Sequence, residues 1–172
     1  AGHVESGLQA VLPGPYSLSE LATDDHYGDR AAFLDAVAEF LAAEAAQFPS
    51  VETLFLLEPS LVTDPPGDGP DERASDAIDT VASAVDADTV VHTYWGATEE
   101  KVYAHLMDAG VDAIGFDLVT AHDDCAYLAG EYGTKADVAL GLVDGQNTLV
   151  ESPETIRERI EWFDDRTNEA FD

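Results

Sequence analysis

Apolar residues along this chain keep two alternating rhythms. Short continuous runs at Leu8–Leu12, Thr53–Leu57, Thr89–Thr93, Ala113–Phe116 and Val138–Val143 predict strands. Between them lie longer stretches with an apolar residue every three or four positions. From Arg30 to Gln47, Phe33, Leu34, Val37, Phe40 and Leu41 recur at helical spacing, which predicts an amphipathic helix that ends before Pro49. Glu72–Val85 predicts a second helix, turning Ile78, Val81 and Val85 inward. Thr98 is placed to cap a third, with Glu99 and Glu100 in its first turn, Val102 and Leu106 on its stripe and Gly110 at its stop. Ala121–Glu131 reads as a fourth. Ser152-Pro153-Glu154 supplies a cap, a first-position proline and a first-turn acid for a last helix, with Ile156, Ile160 and Phe163 inward and a frayed acidic end. A short helical turn is expected at Ser17–Leu21, and polar loops at Thr23–Asp29 and in the Pro- and Gly-rich stretch Thr63–Asp71.

Five strands alternating with helices predict an α/β fold with a parallel sheet. The run Thr53–Leu57 leaves no face for water, so both of its faces should be covered. A complete (β/α)8 barrel needs three more strands and typically about 250 residues. The 172 residues suit one domain or part of a larger one, and spacing leaves open both a small doubly wound sheet and a portion of a barrel. Neither a glycine-rich dinucleotide turn nor a P-loop is present.

Charge changes the picture more than length does. The chain carries 36 Asp and Glu against 7 Lys and Arg, for a formal net charge of -29. The carboxylates are dispersed between apolar segments, unlike the concentrated charge of a disordered tail. This points to a folded protein with a surface suited to very high salt, where the Debye length falls to about 3 Å near 1 M; a basic partner is the other explanation. Nucleic acid is disfavoured, because no basic stripe exists to meet phosphates. No apolar run is long enough to span a membrane. The opening residues Ala1–Gly7 show no basic-then-apolar pattern, which argues against a signal peptide, and the single cysteine excludes an internal disulfide framework. A cytoplasmic setting is therefore expected.

In parallel α/β folds, chemistry gathers at the carboxyl ends of the strands. The candidates there are Pro15, Glu58, His92, Tyr94, Trp95, Asp117 and Asp144. Glu58, a carboxylate before a proline, leans towards function because a buried charge without purpose is costly. Asp117 either caps the next helix or meets a ligand. His92 either hydrogen-bonds within the fold or ligates a metal. Tyr94 and Trp95 either line a ligand pocket or pack at the rim. Asp144 and Asn147 are suited to fix their own turn, and Cys125 reads as buried filler.

Five of these stretches together resemble the cobalamin-independent methionine synthase family. Thr93-Tyr94-Trp95-Gly96, Phe116-Asp117-Leu118-Val119 and Gly141–Asn147 occur in the order and spacing of that family's TYFG, LDLV and GVINGRN stretches. Val11–Tyr16 resembles its fourth-strand stretch, and Glu58-Pro59-Ser60-Leu61 its DEPAL motif. The resemblance runs from about Leu8 to Phe163 and is nearest to the N-terminal, zinc-free barrel. It implies the strand 4–8 portion of a TIM barrel. It also implies a methionine-synthase-like methyltransferase component, moving a methyl group from a methyltetrahydrofolate-type donor to homocysteine. The family's C-terminal barrel binds homocysteine sulfur on zinc. Its ligand positions fall here on Tyr94, Gly96 and Asp117, no counterpart of its last cysteine is present, and the DEPAL aspartate position is Leu57. The resemblance thus implies no cofactor on this chain and zinc only in a partner or C-terminal-type barrel. On this expectation Glu58 and Asp117 are catalytic, while Pro15, His92, Tyr94, Trp95 and Asp144 bind substrate. The alternative is a non-catalytic barrel retained for ligand binding or scaffolding; motifs for the related decarboxylases are missing.

Overall fold

The computed structural model describes residues 7–48, 50–66, 71–135 and 137–168. Five strands, β1 (Leu8–Pro13), β2 (Val51–Leu57), β3 (Asp88–His92), β4 (Ala113–Asp117) and β5 (Asp137–Gly141), form one sheet in the order in which they occur in the chain. Every pairing is parallel, with Val11 beside Phe55, Phe55 beside Val90, Val90 beside Ala113 and Ala113 beside Asp137. Among the described residues seven helices connect or follow them: α1 (Pro15–Leu21), α2 (Arg30–Ala45), α3 (Ser60–Thr63), α4 (Asp71–Ala82), α5 (Glu100–Asp108), α6 (His122–Tyr132) and α7 (Pro153–Asn168). Successive helices pack side by side, α1 on α2, α2 on α4, α4 on α5, α5 on α6 and α6 on α7. An unreversed strand order with one row of helices is the wall of a barrel, and it decides against a doubly wound sheet.

Because side chains alternate along a strand, each strand offers one face to the helices and one to the inner side. Ala10, Leu54, Leu56, Val91, Ile114 and Phe116 face the helix layer and join Leu41, Ile78, Val81, Tyr103 and Leu106 in the core. The inner face carries Val11, Phe55, Val90 and Ala113 in one register row, then Pro13, Leu57, His92 and Gly115 in the next. No described helix covers it, and Val11 there is 52% exposed.

Several local expectations are corrected. In α2 the buried stripe is Leu34, Val37, Ala38, Leu41 and Ala45, while Phe40 turns outward at 58% exposure. Alanines carry the close contact, and the helix is rotated away from its larger ring. Its cap is Asp29, whose side chain accepts from the N–H groups of Ala31 and Ala32. Thr98 does not cap α5; it is buried, and Glu99 takes the position without a side-chain bond. α1 starts at Pro15, before Ser17, and the single turn α3 was not anticipated. α4 stops at Ala82, leaving Val85 half-buried beyond it. β5 is not a buried run over Val138–Val143: it ends at Gly141, pairs on one edge only, and leaves Val138 and Val143 exposed. Ile160 is exposed and Ile156 half-buried, so Phe163 alone of that trio enters the core. Ser152 does cap α7, its Oγ accepting from the Thr155 N–H at 3.1 Å. Pro49, the centre of the Thr63–Asp71 loop and the expected frayed end after Asn168 lie outside the described residues.

Candidate functional site

Of the chain's 36 acidic residues, two are buried among the described ones, Glu58 and Asp117. Both stand at the carboxyl edge of the sheet, but on opposite faces. Glu58 follows Leu57, an inner-face residue, and so turns to the helices. Its two oxygens accept from the Tyr16 N–H at 2.9 Å and the Ser17 N–H at 2.7 Å, in the first turn of α1. The Ser17 hydroxyl in turn accepts from the Ser60 N–H at 3.0 Å. Gly14 makes this seat possible, since a Cβ there would overlap the Glu58 carboxyl carbon. Glu58 is 0% exposed, and burial raises its pKa to about 7 against the opposing bonds from Ser17 and Tyr16. Pro15, expected to touch substrate, is instead fully buried as the first residue of α1.

Asp117 lies on the inner face, paired in register with Gly141. One oxygen accepts from the N–H groups of Val119 at 3.0 Å and Thr120 at 2.9 Å; the other accepts from the Trp95 N–H at 2.9 Å. Burial pushes its pKa up, but the hydrogen bonds from Thr120, Val119 and Trp95 outweigh this and hold it below the ordinary aspartate value. The carboxylate thus ties the loop after β3 to the loop after β4.

Trp95 is a non-glycine residue in the left-handed region, with φ 70°. A bulky side chain seldom accepts that backbone, and where it persists the surroundings hold it there. Its indole is 56% exposed and meets Tyr94 edge to face, with centroids 4.8 Å apart. Tyr94 in turn stands 6.3 Å from the His92 ring.

His92 closes the inner face at the end of β3. Its ring lies over Gly115, where a Cβ would come within 2.5 Å of Cδ2, and its Nε2 reaches towards Gly141. Glycine on β4 therefore makes the space the ring occupies. Nδ1 stands 2.8 Å from the Thr93 carbonyl, which fixes it as the donor and leaves the lone pair on Nε2. Burial lowers the pKa of His92 against the opposing Thr93 bond and Asp117 charge, so the ring is held neutral at lower pH than usual.

Asp144 is apart from this cluster. It caps its own turn by accepting from the Gln146 N–H at 2.9 Å, while its N–H donates to Glu151. Cys125 is buried, and burial pushes its thiol up to about 12. The structure therefore groups His92, Tyr94, Trp95 and Asp117, and sets Glu58, Pro15 and Asp144 elsewhere. The bond from Asp117 to the Trp95 amide had no signal in the sequence, because any residue supplies a backbone N–H.

The donor set here does not fit a zinc ion. Gly96 offers no side chain, and both Asp117 oxygens are engaged by amides. Among the described residues no group of three His, Cys, Asp or Glu side chains stands close enough to hold a metal. No described helix is long and apolar enough to cross a membrane.

Residues 2–167 match the family model described as the cobalamin-independent synthase, N-terminal domain. No individual curated protein matches the chain. Among solved structures, the fold is similar to a B12-independent methionine synthase from Shewanella sp. W3-18-1, determined in complex with selenomethionine. The TM-score is 0.83 at 18% identity, over 97% of this chain and 53% of that one. The chain thus spans about half the length of that relative, and the likeness in structure concerns the fold. With the family model matched over nearly all its residues, the chain belongs to the cobalamin-independent methionine synthase family, within its N-terminal domain.

Proposed function

We propose that this chain is a methionine-synthase-type methyltransferase component, contributing a ligand-binding wall for transfer of a methyl group from a methyltetrahydrofolate-type donor to homocysteine. The observation that supports it best is the His92–Tyr94–Trp95 cluster, at the carboxyl rim where barrel enzymes carry their sites, in a chain of this family. On this reading Nε2 of His92 accepts a hydrogen bond from a ligand N–H or O–H, and the aromatic pair flanks it. Zinc and the activated sulfur belong to a partner or C-terminal-type barrel. Glu58 and Asp117 hold backbone in place here and do not react, since their oxygens are already bonded to amides. That same occupancy favours the second reading, a barrel that binds or scaffolds without making bonds itself.

The test is calorimetric titration of methyltetrahydrofolate and of homocysteine into the full chain in molar potassium chloride, where the -29 charge is screened. His92→Ala and Trp95→Ala are each expected to weaken binding roughly tenfold, about 1.4 kcal/mol. Asp79→Ala, whose carboxylate accepts from Gly110 N–H at the opposite rim, should leave binding unchanged. Binding that survives both rim substitutions would overturn the site; a folded parent that binds neither ligand would favour the scaffold.

A further inference from the structure

We propose that Asp117 is a positioning residue that holds Trp95 in its left-handed backbone conformation and so presents the indole as a standing face at the sheet's carboxyl rim. Only the use of that face by a ligand rests on the proposed function; the hold of Asp117 on Trp95 stands apart from any ligand. Three facts meet here. Trp95 has a φ of 70°, which its own side chain disfavours, so the conformation requires an external hold. The Trp95 N–H donates to Asp117 at 2.9 Å, and the other Asp117 oxygen is fixed by Val119 and Thr120. The carboxylate is therefore anchored on β4 before it reaches across to the loop after β3. The indole it orients remains 56% exposed and touches Tyr94 edge to face. A large ring turned outward at a rim, on a backbone it does not prefer, is not explained by burial of apolar surface.

Trp95 and Trp162 are the chain's two tryptophans, which makes the inference directly readable. With excitation at the red edge of the tryptophan band, where the six tyrosines do not absorb, only Trp95 emits in a Trp162→Phe background and only Trp162 in a Trp95→Phe background. Asp117→Ala and Asp117→Asn, with folding checked by far-ultraviolet circular dichroism, are expected to lower the fluorescence anisotropy of Trp95 and increase its quenching by acrylamide. The Trp162 signal should stay unchanged, which a general loosening of the fold would not allow. Unchanged Trp95 anisotropy and quenching in folded Asp117 variants would overturn the inference. Should those variants fail to fold, hydrogen exchange in the parent decides: a Trp95 amide protected relative to that of Gly96 supports the hold, and one exchanging as fast as a free amide overturns it. None of these measurements needs a ligand, so failure of folate or homocysteine to bind would count against the proposed function and leave this inference standing.

Discussion

The ends of β2 and β4 carry the same kind of group in opposite circumstances. Glu58 and Asp117 both spend their oxygens on backbone amides. Glu58 does so sealed between the sheet and α1, with two amides to offset the loss of water, and its pKa is pushed up to about 7. Asp117 does so at the inner rim with three amides, and its pKa falls. The difference teaches that hydrogen bonding to a carboxylate does not by itself decide its charge; the balance against desolvation does. It also separates two structural jobs. Glu58 fixes where the first helix starts, whereas Asp117 fixes how two mouth loops meet.

The strongest way to break this contrast is to crowd the sealed side. Gly14→Ala puts a methyl group where the Glu58 carboxyl sits, so the acid must move and release both amides of α1. A loss of about 4 kcal/mol is expected from overpacking plus the broken bonds. Denaturant unfolding in molar potassium chloride measures it, and a parent-like midpoint would show that the seat is loose.

Next in size is a difference in pH response. Because folding raises the Glu58 pKa from 4.5 to about 7, its contribution is fully present below about pH 4.5 and lost as pH rises through about 7. The shift corresponds to about 3 kcal/mol. The stability gap between parent and Glu58→Gln should therefore move by most of that amount from pH 5 to pH 8, with the parent losing ground. Asp117 has the opposite sign: its lowered pKa gives a contribution present above the ordinary aspartate value and lost only in acid. The gap between parent and Asp117→Asn should stay flat over the same window. Parallel pH profiles for the two variants would erase the distinction.

Asp117→Ala is expected to cost about 1–2 kcal/mol, the usual range for a lost cap. The smallest effect is that of salt on the Glu58 gap. From 0.1 to 2 M potassium chloride the parent should gain stability as its surface carboxylates are screened. The parent–Glu58→Gln difference should change by less than about 0.5 kcal/mol, because a sealed charge feels little of the ions outside. A larger change would mean that water reaches Glu58.

Most of the frame was legible in the residues, and the failures have identifiable causes. Thr53–Leu57 announced a strand because every position in it is apolar or small, but only its helix-facing side is fully covered: Leu54 and Leu56 are buried, whereas Phe55 and Leu57 on the inner face are half-buried. The strand ends placed His92, Tyr94, Trp95 and Asp117 at the carboxyl edge of the sheet, and that is where they lie. Val138 misled because its apolar character says nothing about whether a further strand lies beyond β5. Phe40 misled because a helix rich in alanine can be turned either way, and close packing at Ala38 and Ala45 outweighed burying one ring. Pro15 and Glu58 looked like a ligand-facing pair; their fully buried seat depends on Gly14, whose neighbour across space is invisible along the chain. Asp117 was legible as a cap, but its hold on Trp95 was not, since the acceptor is named by sequence and the donor is anonymous backbone.

The order of the strands has a consequence for how the chain is made. Among the described strands each pairs with the one synthesised just before it, and none of these pairings waits for a distant segment. A nascent chain leaving the ribosome can therefore add one strand and its helix at a time, with loop-closure entropy kept small at every step. The Glu58 seat falls early in that sequence, once β2 emerges to meet Tyr16 and Ser17. The Asp117 latch, which needs β4, comes only after the emergence of β3 and Trp95. Synthesis thus secures the first helix before the rim is set.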